Sequence, residues 1–155
     1  MKIYLARHGE AIPKEVDSEC PLSEKGSKDL ERMISFLLPR HLQVDFFFHS
    51  GKLRAEQTAE LLSKGIYCTR GVEARSGLNP LDLVAPIANE INQFENDLAL
   101  VGHMPFLGKL LSKLVIDYEK ADLILFQPAT LVCLENREGG GWIVKWVLSP
   151  DLFET

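Results

Sequence analysis

Two histidines and two arginines stand in short polar segments that each follow an apolar run of the sequence. These segments are Arg7-His8-Gly9, residues 50–54 and Gly102-His103. A guanidinium binds two oxygens of a phosphate at once, and a neutral imidazole is a nucleophile for phosphorus. If the three segments meet in the folded chain, they form a compact cationic pocket, and we expect its guest to be a phosphoryl group.

Several other chemistries of phosphate lack the residues that they need. The sequence contains neither a GxxxxGK[ST] loop nor a GxGxxG loop, which argues against a nucleotide site. It also has no Asp-x-Asp pair for an aspartyl nucleophile, and no cysteine is followed by five residues and an arginine. Carboxylates near the three segments are too few for a two-metal centre, and the histidine spacing shows no ligand pattern. We therefore expect histidine to be the nucleophile, with no metal ion and no cofactor.

Short apolar runs alternate with stretches of helical periodicity along the chain. They predict strands at residues 2–6, 44–48, 67–72 and 97–101, helices at 23–38, 52–63, 81–94 and 105–115, and a C-terminal hairpin at 131–135 and 142–148. This order predicts a three-layer α/β/α fold with a mostly parallel central sheet and an antiparallel C-terminal edge. In such a sheet the three polar segments share the edge formed by the carboxyl ends of the strands, where open α/β folds bind ligands. Two of the segments also begin helices, whose free N–H groups favour an anion.

The composition is that of one globular domain spanning residues 1–155. The chain has 155 residues, 46% of them apolar, and a formal net charge of -5, which argues against general nucleic-acid binding. Three cysteines (Cys20, Cys68 and Cys133) without a CxxC pair indicate a reducing compartment. The N-terminal apolar stretch is too short for a signal peptide or a membrane span, so we expect a cytoplasmic protein.

The polar segments resemble the motifs of the histidine phosphatase superfamily. Arg7-His8-Gly9 directly after an N-terminal strand is similar to its signature, and residues 53–58 (LRAEQT) resemble its second arginine motif. Residues 102–105 (GHMP) resemble its second histidine motif, and residues 22–26 (LSEKG) resemble the helix-capping segment between the first two. The motifs occur in the family's order and cover most of the chain to about residue 108. The resemblance implies a phosphoglycerate mutase-like fold and a phosphatase activity.

The resemblance also implies roles for four side chains. His8 is the expected nucleophile, which becomes phosphohistidine and is then freed by water. For this its second ring nitrogen should donate to a fixed acceptor such as a backbone carbonyl. Arg7, Arg54 and His103 are the expected clamp on the phosphoryl oxygens.

Two further residues are candidates for the site. Ser50, in the second polar segment, is a candidate substrate contact. Glu10 is the candidate proton donor because it is the carboxylate nearest to His8 in the sequence, ahead of Asp17 and Glu19 in the same loop. The remaining histidines, His41 and His49, are expected to be structural.

Within the superfamily the chain most resembles the short bacterial SixA branch, which implies a partner protein carrying phosphohistidine, of the histidine-phosphotransfer type. Two departures from that branch are Cys20, where a basic residue is common, and Gly51 in place of proline. Glu73 lies in the region where the mutase branch carries a proton-donating glutamate, so a phosphatase of small phosphate esters stays open. A non-catalytic phosphate-binding module is the remaining alternative, and the intact His8 argues against it.

Overall fold

Eight strands and four helices make up the computed structural model, which describes residues 1–154. The strands are β1 (Lys2–Arg7), β2 (Leu42–Val44), β3 (Phe46–His49), β4 (Ile66–Cys68), β5 (Val72–Ala74), β6 (Leu98–Gly102), β7 (Leu131–Asn136) and β8 (Trp142–Leu148). The helices are α1 (Glu24–Leu37), α2 (Leu53–Leu62), α3 (Ala85–Ile91) and α4 (Phe106–Ile116). Short 3-10 turns follow α1 at Leu38–Arg40 and β8 at Pro150–Phe153. None of the helices in the described part of the chain is long and apolar enough to cross a membrane.

Six of the strands form the central sheet, in the order β5-β3-β6-β1-β7-β8. The first four are mutually parallel, whereas β7 pairs antiparallel with both β1 and β8. The predicted fold class, a mostly parallel sheet with an antiparallel C-terminal edge, is confirmed. In the register of the sheet, Arg7 of β1 lies beside Gly102 of β6, and His49 of β3 lies beside Val101 of β6. The three polar segments therefore leave neighbouring strands at the same edge.

Alternate residues of the central strands enter two hydrophobic cores, one on each face of the sheet. Ile3 and Leu5 of β1 belong to one core, together with the apolar faces of α3 and α4. Tyr4 and Ala6 belong to the other core, which α1 and α2 cover. This alternation follows from the period of two in a strand. With both faces of β1 buried, the strand is held rigidly, and so is the polar segment that follows it.

Two predicted strands are each divided in the structure. The predicted strand 44–48 is interrupted at Asp45, because the N–H groups of Asp45 and Phe46 both donate to the carbonyl of Asp97. As a result β2 pairs with β4 in a separate two-stranded sheet, while β3 joins the central sheet. The predicted strand 67–72 divides into β4 and β5, with a turn in which Gly71 adopts a φ of +77°. The short apolar runs in the sequence do not show where a strand ends and the next residues pair with a different strand.

The predicted helix 81–94 is also too long, since α3 spans only Ala85–Ile91. Leu81 and Leu83 fitted a helical spacing but are exposed, so they do not belong to a buried helical face. A turn closed by the Asn79 N–H and the Asp82 carboxylate (2.8 Å) precedes the helix. Pro86 in the first turn of α3 is compatible with a helix start, where no N–H is needed.

Helix α1 lies directly against the loop that follows β1. Its N-cap is Ser23 as predicted, and the Ser23 Oγ accepts from the N–H of Gly26 at 3.0 Å. The Ser23 N–H donates to the carbonyl of Glu10 at 2.9 Å. A Cβ atom at Gly26 would lie 2.2 Å from that same carbonyl oxygen. The glycine is therefore required for the close approach of α1 to the chain immediately after His8.

We expect Gly26→Ala to lower the free energy of unfolding by about 1–3 kcal/mol, because overpacking against backbone forces the helix away from the loop. Alanine otherwise favours a helix interior over glycine by about 0.5–1 kcal/mol. Gly108→Ala in α4 is the matched control, since the nearest atoms to its Cβ belong to the flexible Met104 side chain. Denaturant unfolding of both variants checks this, and a Gly26→Ala protein as stable as the wild type would contradict it.

Candidate active site

The imidazoles of His8 and His103 face each other at the carboxyl edge of the sheet. Their ring centroids are 5.0 Å apart, with the ring planes inclined by 49°. Each ring follows directly on a strand end, His8 after β1 and His103 after β6. Helix α2 begins beside them, and the Nε of Arg54 lies 3.4 Å from the Nε2 of His8. Adjacent parallel strands thus bring together residues that are far apart in the sequence.

The ring of His8 is oriented by a backbone carbonyl, and the main chain of His8 is held by the neighbouring strand. Its Nδ1 lies 2.7 Å from the carbonyl oxygen of Gly9, which can only accept, so Nδ1 carries the proton. The prediction that a backbone carbonyl orients this ring is confirmed. The backbone N–H of His8 donates to the carbonyl of Gly102 at 3.0 Å. The remaining ring nitrogen, Nε2, keeps its lone pair and accepts only from the Arg54 guanidinium.

Both imidazoles are held in the neutral form. Burial, together with the neighbouring cations Arg54 and Arg7, lowers the pKa of His8 from 6.5 to about 4, although the hydrogen bond to the Gly9 carbonyl acts in the opposite direction. Burial also lowers the pKa of His103 to about 3, assisted by His8 and by the positive charges of Arg54, Lys52 and Arg7. At neutral pH the Nε2 of His8 is therefore an available nucleophile.

Two buried nitrogens of this pocket have no hydrogen-bond partner among the described residues. They are the Nε of Arg7 and the Nδ1 of His103. The Nη1 of Arg7 donates to the carbonyl of Phe126 at 2.7 Å, which holds the guanidinium in place. The Nε2 of His103 lies 2.6 Å from the Oγ of Ser50. Buried donors normally have acceptors, so these two nitrogens are suited to an anion that brings its own oxygens.

Thr58 is a part of this site that the sequence analysis did not identify. Its Oγ1 accepts from the Gly9 N–H at 2.9 Å and donates to the carbonyl of Arg54 at 2.7 Å. Thr58 is fully buried, and it ties the loop that begins at His8 to the helix that carries Arg54. The sequence feature that could have identified Thr58 is its position one helical turn after Arg54, on an otherwise apolar face of the helix.

Ala129 and Lys52 also contribute, and neither stood out in the sequence. The Ala129 N–H donates to the carbonyls of both Arg7 and His8, at 3.1 Å and 3.0 Å. To reach both, Ala129 adopts a φ of +64°, which is rare for a residue with a side chain. Lys52 is exposed at the N-cap of α2, and its charge is among those that lower the pKa of His103. Ala129 holds the end of β1 in place through these two hydrogen bonds. Lys52 adds a positive charge on the solvent side of the pocket.

The carboxylates considered as proton donors are exposed, and none of them is hydrogen-bonded to His8 or His103 among the described residues. The Oε2 of Glu10 accepts from the Ser23 hydroxyl at 2.8 Å at the start of α1. Asp17 accepts from the N–H of Glu19 at 3.0 Å within the outer part of the loop. Glu73 is exposed on β5, beside Phe48 in the register.

The other two histidines lie outside the pocket. His41 is exposed at a turn after α1, with a φ of +51°. His49 is buried at the end of β3, and its Nδ1 accepts from the N–H of Gly51 at 3.0 Å, which shapes the turn before α2. Within the described residues, no group of three or more histidine, cysteine, aspartate or glutamate side chains could hold a metal ion. The pocket is thus composed of imidazoles and cations.

Comparisons with known proteins agree with this geometry. The sequence profile of the "Histidine phosphatase superfamily (branch 1)" matches residues 3–83. The phosphohistidine phosphatase SixA of Escherichia coli K12 is 23% identical over 155 residues, covering 97% of this chain and 94% of that protein. A solved structure of the protein histidine phosphatase SixA complexed with tungstate is similar with a TM-score of 0.85, 22% identity and coverage of 99% and 100%. A phosphoserine phosphatase from Entamoeba histolytica, in complex with 3-phosphoglyceric acid, gives a TM-score of 0.70, 14% identity and 96% coverage of both chains.

The lowered pKa values predict an unusual titration of the two facing imidazoles. We expect the NMR ring signals of His8 to titrate with a midpoint of about 4, and those of His103 to titrate at about 3. Protonation of His8 should then leave kcat/KM constant from neutral pH down to about pH 5. It should lower kcat/KM as the pH drops through 4, because Nε2 becomes protonated there. Arg54→Ala should raise the pKa of His8, because it removes a nearby positive charge. A midpoint of His8 near 6.5 in the wild type would contradict the prediction.

Proposed function

Because the chain belongs to the histidine phosphatase superfamily, we propose that it is a phosphohistidine phosphatase in which the phosphoryl group is held transiently on His8. The observation that supports the nucleophile is the ring of His8 itself. Its Nδ1 is engaged by the Gly9 carbonyl at 2.7 Å, and its pKa lies at about 4. Nε2 is therefore unprotonated at neutral pH and lies next to the guanidinium of Arg54.

On this proposal the reaction proceeds in two displacements. The lone pair of His8 Nε2 attacks phosphorus in line, forming a P–N bond as the bond between phosphorus and the substrate breaks with its electron pair. Water then attacks the same phosphorus, the P–N bond to His8 breaks, and inorganic phosphate leaves with the proton from water. The covalent route divides one difficult step into two easier ones. His8 returns to its neutral form without any change at Nδ1.

We assign Arg7, Arg54 and His103 to the phosphoryl oxygens. Donors fixed in advance around a transferring phosphoryl group stabilise its charge in both steps. Ser50 acts through His103: if its hydroxyl donates to Nε2 over 2.6 Å, the His103 proton must reside on the buried and unpartnered Nδ1. Ser50 thereby acts as a positioning residue that fixes the ring of His103.

The substrate class is inferred from the charges around the two imidazoles. The charged groups that shift the pKa values of His8 and His103 are all cations. Glu10, the sequence-based candidate for a proton donor, is instead bonded to Ser23. An alkoxide leaving group needs a proton in such a reaction, whereas the imidazole of phosphohistidine protonates near neutral pH without assistance. The pocket thus suits a labile P–N bond, in agreement with the similarity to SixA.

We expect brief exposure to radiolabelled phosphohistidine, followed by alkaline quench, to leave label on the wild-type chain that is stable in alkali and lost in acid. His8→Ala should carry no label and no activity, because it lacks the attacking nitrogen. Arg54→Ala should label weakly and lose about 100- to 1,000-fold in kcat, the typical effect of removing one donor. His41→Ala is the matched control and should label like the wild type. Phosphate binding by the wild type with neither label nor turnover would instead identify a non-catalytic module.

We expect kcat/KM to be higher for a phosphorylated histidine-phosphotransfer domain than for sugar phosphates or phosphoserine. Among esters, p-nitrophenyl phosphate should react faster than alkyl phosphates, because its phenolate leaves without a proton. Initial rates across this panel at neutral pH provide the measurement. A clear preference for alkyl esters would refute the phosphohistidine assignment and favour a phosphomonoesterase on the same residues.

A further inference from the structure

The most exposed large apolar side chains of the protein are concentrated at one edge of the sheet. Among the described residues, four such side chains are more than three-quarters exposed: Val16 (77%), Leu81 (86%), Leu83 (78%) and Leu125 (77%). They lie in the loops that follow β1 and β5 and in the loop that precedes β7. Since β7 runs antiparallel to β1, all three loops are at the edge that carries His8. Scattered exposed leucines are ordinary, but a concentration around one pocket indicates a contact surface.

Leu83 is connected to the pocket through the loop that follows β5. The N–H of Arg75 donates to the carbonyl of His49 at 2.8 Å, immediately before Ser50. Arg75 and Leu83 line the same surface cavity, and the guanidinium of Arg75 is paired with Glu90 of α3. The loop is therefore anchored at both its beginning and the following helix, and Leu81 and Leu83 are presented on a fixed support.

Leu125 is connected to the pocket from the other side. It immediately precedes Phe126, whose carbonyl accepts from the Arg7 guanidinium at 2.7 Å. The N–H of Gln127 donates back to the carbonyl of Leu125 at 3.1 Å, which closes a turn. Leu125 thus lies next to the clamp on the phosphoryl group, but its side chain points largely into solvent.

The loops that carry the two groups of leucines are connected to strands that are well separated in the sheet. In the order β5-β3-β6-β1-β7 the flanking loops arise from strands four spacings apart, or about 19 Å at roughly 4.8 Å per strand. His8, His103 and Ser50 follow the three strands between them. A small phosphate ester does not span this distance, whereas the surface of a protein does.

We propose that Leu81, Leu83 and Leu125 form a docking surface for the protein that carries the phosphohistidine, by contact with apolar side chains of that protein on either side of the phosphorylated ring. This inference rests on the proposed function, because the phosphorylated imidazole has to enter the pocket between the two loops. The rest of the partner must then lie over them. Because the leucines flank the pocket and do not line the clamp, they contribute to binding of the partner and leave the chemical step unchanged.

The test compares two substrates that share the P–N bond, a phosphorylated histidine-phosphotransfer domain and the free amino acid phosphohistidine. For Leu83→Ser and Leu125→Ser we expect kcat/KM toward the protein substrate to fall about tenfold each, as for the loss of one buried leucine contact. Toward free phosphohistidine, kcat/KM should stay within about twofold of the wild type. Leu38→Ser, a 53% exposed leucine at the opposite edge, is the matched control and should leave both rates unchanged.

The outcomes separate the docking surface from the proposed function. Equal losses on both substrates would show that the leucines serve the pocket rather than a partner, which would overturn the docking surface. Unchanged rates in both variants would overturn it as well, while the phosphohistidine assignment would stand on the wild-type rates. A wild-type protein that turns over neither phosphohistidine substrate would refute the proposed substrate, and the docking surface with it. Because the leucines are exposed, thermal unfolding of the variants should match that of the wild type.

Discussion

An uncharged imidazole surrounded by cations is the constraint on which the rest of the structure depends. His8 has to keep a free lone pair on Nε2 next to Arg54 and Arg7, and burial ensures this by penalising the charged form of the ring. The same burial would be costly for the guanidinium of Arg7 without partners, and the carbonyl of Phe126 supplies one. A positive pocket can persist in a chain of net charge -5 because it is enclosed by backbone carbonyls and apolar strands, with the acidic side chains outside it.

The positions of these groups are determined by layers that lie behind them. Strands β3, β6 and β1 set the spacing of Ser50, His103 and His8, because residues after adjacent parallel strand ends are neighbours. The helices then fix the direction of each side chain. Thr58 ties α2 to the loop of the nucleophile through the Gly9 N–H, and Gly26 allows α1 to pack against the same loop. A small displacement of either helix would therefore be transmitted to the ring of His8.

The pocket could be predicted from the sequence because its residues follow predicted strands directly. Arg7-His8-Gly9 and Gly102-His103 need only the rule that carboxyl ends of parallel strands share an edge. Glu10 shows where that reasoning stops: residue order does not reveal that its carboxylate accepts from the hydroxyl of Ser23, the N-cap of α1. The carbonyl of Phe126 could not be predicted, because a backbone contact leaves no trace in residue type. The length of α3 was overestimated for a related reason, since the spacing of Leu81 and Leu83 fits a helix although neither is buried.

Selectivity in such a pocket has to come from outside the clamp. Arg7, Arg54 and His103, on the proposed assignment, contact only the phosphoryl oxygens, and these oxygens are common to every phosphate compound. Two features remain that distinguish one substrate from another. One is the leaving group, which on the proposed reading departs without a proton from a neighbouring carboxylate. The other is the rim, where anchored loops present apolar side chains to whatever carries the phosphate. A protein with an exposed phosphohistidine meets both conditions, because its bond is labile and its surface extends over the rim.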